Sequence, residues 1–151
     1  MVIQMNDAGA VGGAAETTEL GVIPDLSQQQ LHADAALNAL EDAGLTVKDI
    51  DGLATAGDRP TDLAYYLGIT PKWVDGTSVG GCSFMLHVRH AVAAILSGHC
   101  ETVLITHGES GRSGVGRGGF ASAPASLTPD DLHQPFAIAS AAPIPAQPPT
   151  D

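Results

Sequence analysis

The chain has 151 residues, enough for one domain with a real core. Seventeen acidic residues against six basic ones give a net charge of −11, which argues against nucleic acid and anionic membrane surfaces, since both are held by clustered Lys and Arg. Apolar content is ordinary at 44%, aromatics are scarce at 4%, and no run approaches the roughly 18 apolar residues of a membrane span.

Met1–Gly13 carries no clear period, and a strand near Gly9–Ala15 is weakened by Gly12 and Gly13. Gln29–Ala43 reads as a helix: Ala33, Ala36, Leu37, Leu40 and Ala43 recur at helical spacing. His32, Asp34, Asn38, Glu41 and Asp42 fall largely on its other side. Ser27 is placed to cap its start and Gly44 to close its end. A short strand follows over Asp49–Thr55, then a short helix over Thr61–Gly68, started by Thr61 after Pro60, and a brief strand over Lys72–Asp75.

The strongest unit is a helix over Cys82–Gly98, with Phe84, Val88, Ala91, Val92, Ile95 and Leu96 along one apolar stripe. Thr102–Thr106 is a continuous apolar, β-branched run, as expected of a parallel strand buried on both faces. Strands alternating with helices imply right-handed crossovers and a mostly parallel sheet, so the class is α/β. From Ser110 the character changes. Gly111–Gly119 is glycine-rich, with Arg112 and Arg117, and Ala121–Asp151 is rich in Ala, Pro and Ser without period. Such a tail buries too little apolar area to offset its ordering entropy and is expected to be extended or disordered. The expected organisation is one α/β unit over 1–120 and a low-complexity tail over 121–151.

Two cysteines are present, Cys82 and Cys100. A helix between them, rising about 1.5 Å per residue, separates them by roughly 27 Å, far beyond the ~7 Å between Cα atoms that a disulfide spans. Both are expected reduced, in keeping with a cytoplasmic protein, and no basic start followed by an apolar run marks the N-terminus.

Chemistry concentrates at Gly80-Gly81-Cys82-Ser83, where glycines lead into the long helix. A thiol at a helix N-terminus feels the partial positive charge of unpaired N–H groups, which favours thiolate. The glycines let a substrate carbonyl approach the backbone, and the same N–H groups are placed to hold an oxyanion. The plainer alternative is a small buried cysteine, with glycines that merely permit a tight strand-to-helix turn.

The order of these pieces resembles the thiolase superfamily. Cys82-Ser83 opens the long helix and Ala93-Ala94-Ile95-Leu96-Ser97-Gly98 closes it. Val103-Leu104-Ile105 and Gly108-Glu109-Ser110 follow as strand and turn, while Asp42-Ala43-Gly44-Leu45 and Asp49-Ile50-Asp51-Gly52 look like the fold's first helix and second strand. The resemblance covers about residues 10–120. In type it is nearest the sterol-carrier-protein-X thiolases and the thiolase-like lipid-transfer proteins known as acetyl-CoA acetyltransferases. It implies the N-terminal part of one thiolase half, a mostly parallel sheet with flanking helices. It also implies acyl transfer from a coenzyme A thioester through an acyl-cysteine, with carbon–carbon bonds made or cleaved in the Claisen sense. Cys82 is then the catalytic candidate, flanked by Gly81 and Ser83 at the substrate. No bound cofactor is implied, acyl-CoA being the substrate, and the family's homodimer is expected.

Two departures qualify that picture. The Cys82–Gly98 spacing is one residue shorter than the common pattern, so the nucleophile position falls on either Cys82 or Gly81. The chain also stops inside the first half, without the histidine and second cysteine that thiolases take from the other half. A truncated, inactive chain is therefore expected, with the full-length relative as the acyltransferase. The alternative reading is a non-catalytic thiolase-like scaffold that binds acyl-CoA or lipid with a small OB-fold zinc partner.

Other motifs are weaker. Gly114-Val115-Gly116-Arg117-Gly118-Gly119 fits a dinucleotide-loop pattern but no helix follows it. Gly108-Glu109-Ser110-Gly111 nearly matches a hydrolase nucleophile elbow, one position short. His87 and His90 share a helix face without a recognised zinc spacing and are expected at the solvent or an interface. Arg89, Arg112 and Arg117 are candidates for CoA phosphates, against the plainer reading of solvated arginines.

Overall fold

In the computed structural model, which describes residues 9–108 and Ser113, the first helix begins where Ser27 caps it. The Ser27 hydroxyl accepts the Gln30 N–H at 3.3 Å and the Gln30 side-chain oxygen accepts the Ser27 N–H at 2.8 Å, a reciprocal cap that opens α1 (Gln28–Ala43). Gly44 closes it at φ 67°, a left-handed conformation that favours glycine.

The strand expected from Asp49 starts later. Asp49 accepts the N–H and the hydroxyl of Thr46, both at 2.8 Å, and this holds Val47–Asp49 in a 3-10 turn. The strand β1 then runs over Gly52–Ala56. Pro60 takes the first position of α2 (Pro60–Leu67), so Thr61 lies inside the helix rather than starting it, and Gly68 ends it at φ 71°. The remaining elements are β2 (Trp73–Asp75), α3 (Ser83–Leu96) and β3 (Val103–His107).

The sheet is parallel throughout, in the order β2-β1-β3, with Gly52 level with both Trp73 and Val103. One face is covered by α1 and α2. Leu53 and Leu104 from the strands meet Ala36 and Leu40 from α1 and Leu63 and Ala64 from α2. Leu31, Leu53 and Leu63 are fully buried, each contributing about 2 kcal/mol of transfer free energy. Asp51 ties the strand entries together: its carboxylate accepts the N–H groups of Glu101 and Thr102, each at 2.8 Å, and meets Lys72 Nζ at 3.1 Å.

The opposite face is covered by α3, and here the apolar stripe is only partly the buried side: Ala91 is buried, Val92 and Ile95 are half-buried, and the rest of the stripe is exposed. Ser83, His87, Ala91 and Ala94 are buried, while Phe84, Met85, Val88 and Leu96 are 40–62% exposed. Side chains alternate along β1, and Leu53 and Thr55 point to α1, so Gly52, Ala54 and Ala56 point to α3. A central strand of such small residues, flanked by Val103 and Ile105 on β3, takes the small side of α3, and the bulkier helix residues turn outward. The two-sided burial expected of the last strand is also only half realised, with Leu104 and Thr106 buried, Val103 and Ile105 half-buried and His107 exposed.

Residues 9–15 form no strand. They are bound to α1 instead: the Ala14 N–H donates to Asp42 at 3.0 Å, and Gly13 lies so near that an added Cβ would sit 2.6 Å from the Ala39 carbonyl oxygen. The Gly108–Gly111 turn beyond Gly108, the 114–119 glycine run and the 121–151 tail lie outside the described residues.

Candidate functional site

Three parallel strands deliver their carboxyl ends, Ala56, Asp75 and His107, to one side of the sheet. In open α/β sheets ligands bind on that side, outside the carboxyl ends of the strands. The loop leaving β2 there runs from Asp75 to Cys82, and each of its turns is held by a side chain.

Asp75 makes the first link, accepting the Thr77 N–H at 2.9 Å and the Thr77 hydroxyl at 2.7 Å, with its other oxygen 2.6 Å from His90 Nδ1. Burial pushes its carboxyl up, but the Thr77 and His90 hydrogen bonds and the nearby His87 outweigh it and hold the group below the usual carboxylate range. His87 makes the second link. Its ring is fully buried, contrary to the solvent or interface position expected, and Nε2 lies 2.8 Å from the Thr77 carbonyl oxygen. A carbonyl only accepts, so Nε2 carries the hydrogen. The other nitrogen, Nδ1, is buried without a partner. Ser83 makes the third: its hydroxyl donates to the Gly80 carbonyl at 2.7 Å and accepts the Val79 N–H at 2.9 Å. Its own N–H also donates to Gly80, at 3.0 Å.

The outcome is a short, tightly tied loop that ends on an exposed sulfur. Cys82 is the N-cap of α3, and its carbonyl accepts the N–H groups of Met85 and Leu86. Among the described residues its Sγ has one hydrogen-bond contact, the Val79 carbonyl at 4.0 Å. Gly80 holds φ 86°, which requires glycine, whereas a Cβ on Gly81 would meet nothing within 4 Å. Of the three residues singled out from sequence, Cys82 and Gly81 are therefore presented to solvent and Ser83 is buried.

A second polar cluster on the same side was not foreseen. His32, assigned by periodicity to the polar side of its helix, is fully buried. Its Nδ1 lies 2.8 Å from Thr106 Oγ1 and 3.5 Å from Thr55 Oγ1, while Nε2 has no partner. Burial lowers its pKa to about 4, with Asp58 acting to raise it and His107 to lower it further. The available signal was a pair of threonines, Thr55 and Thr106, inside strands that read as buried: such hydroxyls need a partner.

A groove of about 400 Å³ lies along the rear half of α3, lined by Trp73, Val74, Asp75, His90, Ala93 and His99 among others. Among the described residues no group of three His, Cys, Asp or Glu side chains is arranged to hold a metal ion, and no helix is long and apolar enough to cross a membrane. Both cysteines are free, Cys82 exposed and Cys100 buried.

No protein-family model matches the sequence. Two curated proteins are similar to it. A steroid side-chain-cleaving aldolase of Thermomonospora curvata is 33% identical over 112 residues, covering 72% of this chain and 28% of the relative. A 17-hydroxy-3-oxo-4-pregnene-20-carboxyl-CoA lyase of Mycobacterium tuberculosis is 34% identical over 93 residues, covering 59% and 24%. Among solved structures, the Ltp2-ChsH2(DUF35) aldolase superposes with a TM-score of 0.60 at 32% identity, over 83% of this chain and 35% of that one. A monomeric SCP2-thiolase-like protein of Mycobacterium smegmatis gives 0.54 at 26% identity, over 64% and 22%. The chain thus spans less than a third of the length of the curated relatives it matches.

Proposed function

We propose, from the premise that this chain is thiolase-like in fold and sequence, that it supplies the cysteine-bearing helix tip of an enzyme acting on a carbon–carbon bond beside a coenzyme A thioester. The observation that carries this reading is Cys82, exposed at the N-terminus of α3 on the carboxyl side of a parallel sheet. The similar proteins named aldolase and carboxyl-CoA lyase support cleavage chemistry on a lipid acyl-CoA rather than acetyl transfer alone.

In the proposed step the Cys82 thiolate attacks the thioester carbonyl. An acyl–Sγ bond forms, the bond to the coenzyme A sulfur breaks, and coenzyme A leaves as a thiolate that takes up a proton. The oxyanion meets the open backbone at Gly81 and the first turn of α3. Ser83 acts from below, keeping the loop in shape. The chain works in the cytoplasm as part of a homodimer. The test is incubation with a medium-chain acyl-CoA and mass spectrometry of the tryptic peptide carrying residue 82. An acyl mass on Cys82 that vanishes in Cys82→Ala supports the reading, and an unmodified wild-type peptide refutes it.

A second reading is favoured by one observation: among the described residues no imidazole or carboxylate lies within hydrogen-bond reach of Cys82 Sγ. On it the chain is a non-catalytic scaffold that binds acyl-CoA beside a small OB-fold zinc protein. The two-component name of the similar Ltp2-ChsH2(DUF35) aldolase supports such a partner. Saturable acyl-CoA binding that survives Cys82→Ala, without any adduct, is the outcome this reading requires.

A further inference from the structure

Burying an imidazole in an α/β core costs free energy unless its nitrogens are satisfied. His87 is fully buried with only Nε2 engaged, and Nδ1 is left bare. A leucine would fill the same space without that cost, so the single bond His87 makes needs a reason. That bond reaches the Thr77 carbonyl, ten residues back along the chain, in the loop that ends on Cys82.

We propose that His87 is the positioning residue of the Cys82 loop: its Nε2–H holds the Thr77 carbonyl and so fixes the backbone from Thr77 to Cys82 that presents the sulfur. The inference rests on the reading of this loop as the functional site. Three ties converge on the segment. Asp75 holds the Thr77 N–H and hydroxyl from the strand end, His87 holds the Thr77 carbonyl from the second turn of α3, and Ser83 holds Val79 and Gly80 from its first. Of these, His87 alone engages the Thr77 carbonyl, and it does so from a fully buried ring. Removing its donor leaves Thr77 tied from one side only. His90, bound to the far oxygen of Asp75, does not replace it, because it touches the carboxylate and not the loop backbone.

Two variants separate the hydrogen bond from the bulk. His87→Phe keeps a ring and loses the donor; His87→Gln loses the ring and keeps an N–H able to reach the same carbonyl. Amide hydrogen exchange of the full chain, read by mass spectrometry, is expected to speed up about tenfold over residues 76–83 in His87→Phe, the equivalent of one lost hydrogen bond. Exchange over β1 and β3 is expected to stay unchanged, and His87→Gln to return the loop to near the wild-type rate. Equal exchange in the wild type and His87→Phe overturns the proposal, and so does a Gln variant as fast as the Phe variant. Should His87→Phe not fold, nitrogen NMR of the unaltered chain at pH 8 decides: a ring protonated on Nε2 is expected, and one protonated on Nδ1 ends the proposal. None of these readouts uses acyl-CoA, so the acyl-cysteine reading and the role of His87 fail separately.

Discussion

His32 makes the stability of this chain depend on pH in the mildly acidic range. Its ring is completely enclosed and its pKa is lowered from 6.5 to about 4, with burial as the main cause. In the unfolded chain the same imidazole takes up a proton near its ordinary value of about 6.5. Between those two values the unfolded state binds more protons than the folded one, so stability is full above pH 6.5 and falls as the pH drops towards 4. From pH 7.5 to 4.5 the loss is about 2.5 kcal/mol, a large share of the roughly 5–15 kcal/mol that domains possess. The half-buried carboxyls Asp51 and Asp75 are held below their ordinary value, so their contribution is lost only under more acidic conditions. Urea unfolding followed by circular dichroism at several pH values reads this slope. His32→Asn keeps a polar atom near Thr106 but cannot take up the proton. It is expected to be less stable at pH 7.5 because of the lost ring, and to lose about 2.5 kcal/mol less than the wild type on going to pH 4.5. Parallel slopes for the two proteins would refute the assignment.

Two further expectations concern the framework. Asp51→Ala leaves the N–H groups of Glu101 and Thr102 without their acceptor at the entry to β3 and is expected to cost about 2 kcal/mol in urea unfolding at neutral pH. Gly44→Ala meets no atom within 4 Å but keeps φ 67°, so about 1 kcal/mol of backbone strain is expected. Gly13→Ala instead drives a Cβ into the Ala39 carbonyl and is expected to lift the 9–15 segment off α1, seen as faster proteolysis there while far-UV dichroism is unchanged.

Much of this fold was legible because its signals are local. Ser27 and Gly44 bracket α1 as their chemistry dictates, Gly68 and Gly98 mark helix ends, and the β-branched run near Val103 is a parallel strand. Cys82 at a helix start followed from the two glycines before it. What failed depends on partners distant in the chain. Periodicity shows that α3 has an apolar stripe but not which stripe meets the sheet; that is decided by Gly52, Ala54 and Ala56, 27 residues and more away. His32 looked polar and solvated because the threonines that receive it lie on β1 and β3. Asp49 was drawn into a turn by Thr46, a three-residue cap that outweighs the strand preference of the residues after it.

The position of β1 at the centre of the sheet has a kinetic consequence. It is made first in the chain, yet both of its neighbours are parallel and lie far downstream, Trp73 and Val103 opposite the same Gly52. No hairpin assists either pairing, so each ladder must close a long loop before a single rung is gained. As the chain emerges during synthesis, Leu53 and its neighbours wait with one edge bare until β2 has been made and with the other bare until β3 follows α3. Folding should therefore be slow for a domain of this size and set by the arrival of β3, and a circular permutant that opens the chain between β2 and α3 and joins β3 directly ahead of α1 should reach the native sheet faster.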